Sequence, residues 1–334
     1  MNDIENFLQN LFQLPYSVVS EEDNKKIKFE GIPKYIRDKL NSSKYKSTSF
    51  PSELLEKIRS ITEDSVKKNL PIHLTVPFGG FKKWQLPSYP YPEWSEVFNI
   101  IFLRNYLLPI AAAYEPGIIL HYVSDEVVIS KMNNYPQSDL DIYNNNFQNI
   151  LDYLNKFNPE NVKFIFTKIR DEISQEEILK RFEEDMPLIR NEWEAIPDRE
   201  KEIKLEKSFR NYQTNFAHMS KQEIDKSILR SCLMHEAFVG GTWDKDIPWA
   251  FGPDMIPIGF TYTGKWGLHI KSSTASTVQF WVGIGVLEQR NNKIIPTIFT
   301  YNQFIKNKEK LISKKLNLFT EELNYLNKIY LLEK

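Results

Sequence analysis

The chain has 334 residues, of which 41% are hydrophobic, 26% charged and 13% aromatic, and its formal net charge at neutral pH is -1. This composition is typical of a globular α/β or α+β protein and argues against a largely disordered chain. A net charge so close to zero indicates no global attraction to nucleic acid or to an anionic membrane, and we expect neither as a partner.

The single cysteine, Cys232, cannot form an intrachain disulfide and is typical of a reducing compartment, so we expect a cytoplasmic protein. The first residues carry acids and lack a basic segment followed by an apolar core, so we expect no secretory signal. The most apolar window, residues 97–114, is interrupted by Asn99, Arg104 and Pro109 and therefore predicts a buried helix instead of a membrane span.

Residues 1–69 predict an N-terminal region of helices and loops. Its first 20 residues predict an amphipathic helix that ends near Pro15, and residues 21–52 predict exposed loop with a short helix. Ser52 can cap a further helix that leads into the first strand.

Residues 70–174 alternate between apolar runs and amphipathic segments, which is the pattern of an α/β core. Three short apolar runs predict strands: Ile72–Val76, Ile118–Val123 and Val162–Thr167. Helices are predicted between them, the first with a kink or break at Pro109, and residues 127–130 are predicted as a short extended segment. The β-loop-α-β-α-β order predicts an α/β fold with a Rossmann-like, largely parallel sheet.

The second half of the chain predicts two further parts of the same fold. Residues 175–234 are dense in charge and predict a helical insertion or cap, with a break at Pro187. Residues 235–334 predict strands, a β-hairpin and a closing helix that complete the domain. The expected elements are strands over 256–262, 266–271, 278–288 and 294–300, a turn at Asn291–Asn292 and a helix from Asn302 to about Tyr330.

Several common cofactor and metal motifs are missing from the sequence. No glycine-rich phosphate loop ends in Lys followed by Ser or Thr, and Gly283-Ile284-Gly285 lies inside an apolar run where glycine usually permits close packing. No histidine or cysteine pair has metal-ligand spacing. We therefore expect neither a cofactor nor a metal.

Two polar segments follow predicted neighbouring strands and should border one crevice, since ligands of open α/β sheets bind at the carboxyl ends of strands. The first contains Gly79, Gly80, Lys82 and Lys83, whose backbone N–H groups and ammonium groups can bind phosphate or carboxylate. A surface turn with two solvated lysines is the alternative interpretation.

The second segment is the acidic turn that starts at Ser124. Asp125 can act as a general base, and Ser124 can bind a substrate hydroxyl or amine. An ordinary acidic turn is the alternative.

Further candidates lie in the second half. His235 follows an apolar run and can be either an oriented imidazole or a hydrogen-bonded core histidine, and Arg210 is the better anion ligand of its segment. An aromatic loop can cover a pocket or merely pack over one: Gly240-Gly241, Trp243, Trp249 and Phe251.

These residues resemble the isocyanide (isonitrile) synthase family of the pyoverdine/dityrosine biosynthesis type. The matching pieces occur in the family's order: Pro71-Ile72-His73-Leu74 with Pro77-Phe78 and Lys82 or Lys83, Tyr114-Glu115-Pro116-Gly117, Ser124-Asp125, and Asp141-Ile142-Tyr143. In the second half, Arg230 to His235 and Ile256-Pro257-Ile258 resemble the family more loosely. The sequence departs from the family at Gly79-Gly80, at Glu126 in place of glycine and at Val282 in place of histidine.

The resemblance implies a small-molecule enzyme that converts the α-amino group of an amino acid into an isocyanide, with ribulose 5-phosphate as the carbon donor and no metal. It implies that Lys82 or Lys83 and Arg210 hold the phosphate, and that Asp125 and His235 transfer protons. Two other functions stay open: a Rossmann-like transferase for another phosphorylated small molecule, and a non-catalytic protein that binds a protein partner through its charged helices, residues 175–230.

Overall fold

A computed structural model describes residues 3–13, 19–50, 52–213, 219–240, 254–260, 267–291 and 293–333. Its centre is a five-stranded, all-parallel sheet with the strand order β3-β2-β1-β4-β5. The strands are β1 (Ile72–Phe78), β2 (Ile118–Ser124), β3 (Val162–Lys168), β4 (Ile256–Gly259) and β5 (Leu268–His269). The predicted α/β fold with a parallel sheet is confirmed, although the strands predicted over 256–262 and 266–271 are shorter than expected.

Helices α1 to α7 surround and connect the first strands. They are α1 (Asp3–Phe12), α2 (Glu21–Glu30), α3 (Ile32–Leu40), α4 (Ser52–Lys68), α5 (Trp94–Ala113), α6 (Glu126–Asn133) and α7 (Gln137–Asn155). Two predictions are wrong here. Residues 21–52 contain two helices, because Ser20 caps α2 and Pro33 fits the first turn of α3. Residues 127–130 belong to α6, which packs on α7 and on a later helix.

Helix α5 runs through Pro109 without a break, so of the kink or break predicted there the break is wrong. A proline in a helix leaves the carbonyl four residues earlier without its N–H donor. Here that carbonyl belongs to Asn105, and the hydroxyl of Tyr45 donates to it at 3.1 Å. A side chain from a preceding loop thus replaces the missing donor.

Helix α5 is also the one helix of the described residues that is long and apolar enough to cross a membrane. In the fold, 78% of its most apolar window is buried. It is therefore a core helix, as the sequence predicted.

The charged segment is helical, as predicted, and its helices pack on one another. They are α8 (Ile169–Glu172), α9 (Gln175–Ala195), α10 (Asp198–Asn211) and α11 (Lys221–Gly240). Helix α9 continues through Pro187, so the predicted break is wrong. Helix α11 continues past Leu233 and packs on α6, next to the carboxyl end of β2.

The end of the chain forms a second sheet with the order β7-β6-β9-β8. Its elements are β6 (Gly283–Arg290), β7 (Lys293–Thr300), the short helix α12 (Tyr301–Lys306), β8 (Leu311–Lys315) and β9 (Lys328–Glu333). The hairpin of β6 and β7 is confirmed, with Arg290 opposite Lys293. The first part of the run predicted as a strand, Phe280–Val282, is a 3-10 helix.

The predicted closing helix from Asn302 to about Tyr330 is wrong. β9 pairs in parallel with β6 and antiparallel with β8, so that Ile329, Leu331 and Leu332 become buried. Pairing with a strand some forty residues earlier decides the conformation of this segment over its local amphipathic pattern.

Candidate functional site

The register of the sheet brings the two predicted loop segments to one edge. Phe78, the last residue of β1, lies beside Ser124, the last residue of β2, and Ser124 lies beside Lys168 at the end of β3. The N–H of Asp125 donates to the carbonyl of Phe78 at 2.9 Å, so the acidic turn begins against the glycine loop. The predicted proximity of the two segments at the carboxyl ends of β1 and β2 is confirmed, and the crevice between them stays a prediction.

Gly80 is fitted against Ser124 and Asn144 so closely that no side chain can replace its hydrogen. Its φ is +62°, and a Cβ there would lie 1.8 Å from Ser124 Oγ. The hydroxyl of Ser124 donates to Asn144 Oδ1 at 2.7 Å, and Asn144 Nδ2 donates to the carbonyl of Gly80 at 3.0 Å. Asn144 on α7 therefore holds the glycine loop and the acidic turn together, a role that we did not predict.

Lys82 faces the protein interior, away from the crevice. Its side chain is 0% exposed and its ammonium contacts Glu93 Oε1 at 3.0 Å, Glu96 Oε1 at 2.9 Å and Ser95 Oγ at 2.7 Å. The carbonyl of Phe280 accepts a further hydrogen bond from it at 3.1 Å. We call this set of Lys82, Glu93, Ser95 and Glu96 the buried ion cluster.

The contacts of Lys82 in the buried ion cluster argue against the phosphate-binding role predicted for this residue. An ammonium has three N–H donors, and protein acceptors already surround all of them. Burial raises the pKa of Glu96, an effect that Lys82 opposes. Lys82 thus stabilises buried carboxylates, and we leave it out of the proposed ligand-binding set.

The next residue, Lys83, is partly exposed, in contrast to the buried Lys82. Its backbone N–H donates to the carbonyl of Trp281 at 3.0 Å, and burial lowers the pKa of its ammonium, with a smaller lowering from the charge of Arg210. Arg210 lies on α10, where its carbonyl accepts a hydrogen bond from Gln85 Nε2 at 3.3 Å. The structure therefore brings two of the predicted anion-binding cations near each other at the glycine loop.

Asp125 lies beside the glycine loop in surroundings that disfavour its charge. It is 9% exposed, and burial raises its pKa well above the ordinary value, with a further rise from the neighbouring charge of Glu126. The protonated carboxyl is therefore stabilised, as in carboxyl groups that act as general acids.

Glu126 and Arg170 form a second polar pair at this edge. Arg170 Nε lies 3.3 Å from Glu126 Oε1, and its Nη2 lies 2.7 Å from Asp141 Oδ1. Burial raises the pKa of Glu126 despite the arginine. Arg170 on α8, the helix that follows β3, thus connects α6 and α7, and we did not predict this residue from the sequence.

His235 lies on α11, which packs on α6. Its Nδ1 is 3.9 Å from Glu236 Oε1, and its side chain is 26% exposed. Together with Lys204, it lowers the pKa of Glu236 to about 2. Among the described residues no hydrogen bond joins His235 to Ser124, Asp125 or Lys83, so its predicted catalytic role stays a prediction.

Aromatic rings form one wall beside the glycine loop. Trp281 lies 6.0 Å from Phe78 and 6.3 Å from Phe260 between ring centroids, and a Cβ on Gly79 would lie 3.2 Å from Trp281 Nε1. Val282, where the resembled family has histidine, follows Trp281 in the 3-10 helix. The predicted aromatic loop of Gly241, Trp243, Trp249 and Phe251 lies outside the described residues.

Comparisons with known proteins give similarity at the level of fold. No protein-family model matches the chain, and no curated protein matches it. Among solved structures, the chain is similar to the PvcA protein from Pseudomonas aeruginosa, with a TM-score of 0.65 and 13% sequence identity. The match covers 90% of this chain and 99% of PvcA. At this identity the similarity shows a shared fold, which extends over nearly the whole of both chains.

Proposed function

We propose that the protein is a biosynthetic enzyme of the isocyanide-synthase type, with the α-amino group of an amino acid and ribulose 5-phosphate as its substrates. The proposal rests on the family's motifs in this sequence and on a fold that this chain shares with PvcA over almost its full length. Because a fold alone does not define a reaction, the function has to be argued from the residues of the site.

One observation carries the proposal: the register of β1 and β2 brings the glycine loop, which we assign to anion binding, and a carboxyl group of raised pKa to the same strand ends. Lys83, with Arg210 nearby, supplies the positive charge for a sugar phosphate. The backbone at Gly79 and Gly80 allows close approach, and the aromatic wall around Trp281 gives an apolar surface for an amino-acid side chain.

The proposed reaction begins when the amino group attacks the ketone carbon of ribulose 5-phosphate, forming an imine and releasing water. Asp125 is the group we assign to proton transfer, because its raised pKa favours the protonated carboxyl, which can protonate the departing hydroxyl. Ser124 and Asn144 keep the glycine loop and Asp125 in fixed relation. We assign His235 to a second proton transfer on the strength of the family resemblance.

Turnover by the purified protein tests the proposal. Ribulose 5-phosphate is incubated with each of the common amino acids, and loss of the amino acid and formation of an isocyanide are followed by mass spectrometry and infrared absorption. Asp125→Asn should reduce turnover by about two or more orders of magnitude. Lys180→Ala, which removes an exposed lysine of α9, is the matched surface control and should leave turnover unchanged.

The same experiment separates the other functions. A transferase for another phosphorylated molecule would bind sugar phosphates through Lys83 and Arg210 but produce no isocyanide. A non-catalytic interaction protein would bind none of them, and Lys83→Ala would then have no effect on any ligand.

A further inference from the structure

A second cavity of about 720 Å³ opens on the opposite part of the fold, along the second half of α5. Its walls come from α3, from the loop after α3, from α5 and from the segment that follows β5. Since α5 rises about 1.5 Å per residue, Pro109 in this cavity lies roughly 20 Å from Glu96 in the buried ion cluster. None of the residues that line the cavity belongs to the glycine loop or to the acidic turn.

Three lysines line the cavity, and two of them lack an acidic partner. Lys39 is paired with Asp23, whose two carboxylate oxygens both lie 3.0 Å from its ammonium. Lys44 and Lys271 form no ion pair with any carboxylate in the described ranges. Lys271 Nζ donates to the carbonyl of Lys44 at 2.9 Å, which brings the two lysines to the same side of the opening.

The rest of the wall combines polar side chains with an apolar surface along α5. Tyr45 and Phe102 lie 5.2 Å apart between ring centroids, and Leu108, Pro109 and Ala112 continue this surface along α5. The hydroxyl of Tyr45 is occupied by the carbonyl of Asn105, and that of Tyr35 by the carbonyl of Pro109. The ammonium of Lys39 lies 5.0 Å from the ring centroid of Tyr35, and that of Lys44 lies 5.1 Å from the ring centroid of Tyr45, so each ring already has a cation against one face.

One polar atom inside the wall has no partner. Asn105 Oδ1 is buried and accepts no hydrogen bond from the part of the chain that the structure describes. This acceptor is closed off from solvent, so it belongs to the packed wall and is not open to a ligand in the cavity. The wall thus combines an apolar surface along α5 with two lysines, Lys44 and Lys271, that form no ion pair among the described residues.

We propose that this cavity is a second binding site for a small organic anion that has an apolar, ring-sized body. The anionic group pairs with Lys44 and Lys271, and the body lies against Tyr45, Phe102 and Leu108. The volume falls within the range of small-molecule pockets. This inference does not depend on the proposed catalytic function.

Titration with anilinonaphthalene sulfonate, an aromatic anion whose fluorescence increases in an apolar site, tests the proposal. The dye should bind the folded protein with a dissociation constant below about 1 mM. Lys44→Gln combined with Lys271→Gln should weaken binding about tenfold or more, as expected when a charged pair is lost. Lys46→Gln is the matched control, because Lys46 lies in the same loop but contacts Asn41 and does not line the cavity.

A second variant and a competition experiment localise the site. Ala112→Trp places a ring in the opening from an exposed position and should also abolish dye binding. Benzoate should displace the dye, whereas benzamide and sulfate should do so at least about tenfold less well. The proposal is overturned if the dye does not bind, if binding is unchanged in the double variant or in Ala112→Trp, or if sulfate or benzamide competes as well as benzoate.

Discussion

Gly80 shows how a single residue decides whether the glycine loop and the acidic turn can meet. Gly80→Ala should lower the free energy of unfolding by about 2 kcal/mol or more, because the substitution combines a positive φ with a clash against Ser124. Gly31→Ala is the control: its φ is also positive, at +83°, but its Cβ would meet only Pro33 at 3.6 Å. Urea denaturation of both variants measures the difference, and equal losses would contradict the close approach of Ser124.

The buried carboxyl of Asp125 should make the free energy of unfolding depend on pH. Burial raises its pKa in the folded protein, so the unfolded chain loses this proton first and the free energy of unfolding falls as pH rises from about 4 through the folded pKa. Asp125→Asn removes the ionisable group. The variant should therefore be more stable than the wild type at pH 8, with a difference that shrinks towards pH 4.

Denaturation curves at both pH values check this prediction. If Asp125→Asn is less stable than the wild type by the same amount at pH 8 and pH 4, the carboxyl is not held in a charge-disfavouring site. The combination of a more stable fold with lost turnover would assign Asp125 to catalysis, because a purely structural residue would not show it.

At the scale of elements, the buried ion cluster joins three parts of the chain. Lys82 comes from the glycine loop and Glu96 from the start of α5, and the N–H of Gly285 in β6 donates to both oxygens of Glu93 at 3.0 Å. Tyr143 on α7 donates to Glu96 Oε1 at 3.0 Å. The crevice is thus tied to the C-terminal sheet through charged groups.

Neighbouring lysines provide a matched test of this arrangement. Lys82→Met should reduce the free energy of unfolding by about 3–5 kcal/mol, since it leaves two buried carboxylates without their cation. Lys83→Met should be nearly neutral or slightly stabilising, because burial already disfavours that ammonium. Chemical denaturation distinguishes the two, and similar effects at both positions would contradict the different surroundings of Lys82 and Lys83.

Across the whole molecule, local sequence patterns were enough to predict the parallel core. Long-range contacts determine the conformation of the other elements and the surroundings of single side chains. Short apolar runs and the punctuation at Gly79-Gly80 and Ser124 were enough to predict β1, β2 and their common edge. The sequence could not show that Lys82 turns inward, because its partners Glu93 and Glu96 are brought to it by the start of α5.

Contacts between distant parts of the chain also explain why some elements were predicted wrongly. β9 is a strand only because β6 and β8 flank it, and α5 continues past Pro109 only because Tyr45 supplies the missing donor. Asn144 and Arg170 were missed because their importance comes from contacts with other elements, which no local spacing indicates.

The central claim is that the crevice beside Lys83 and Arg210 binds a sugar phosphate. Isothermal titration of ribulose 5-phosphate into the full chain, with unphosphorylated ribulose as the matched ligand, tests it most directly. We expect ribulose 5-phosphate to bind and ribulose to bind at least about tenfold more weakly. Lys83→Ala combined with Arg210→Ala should weaken the binding of ribulose 5-phosphate by a similar factor. Equal binding of both sugars, or unchanged binding in the double variant, would contradict it.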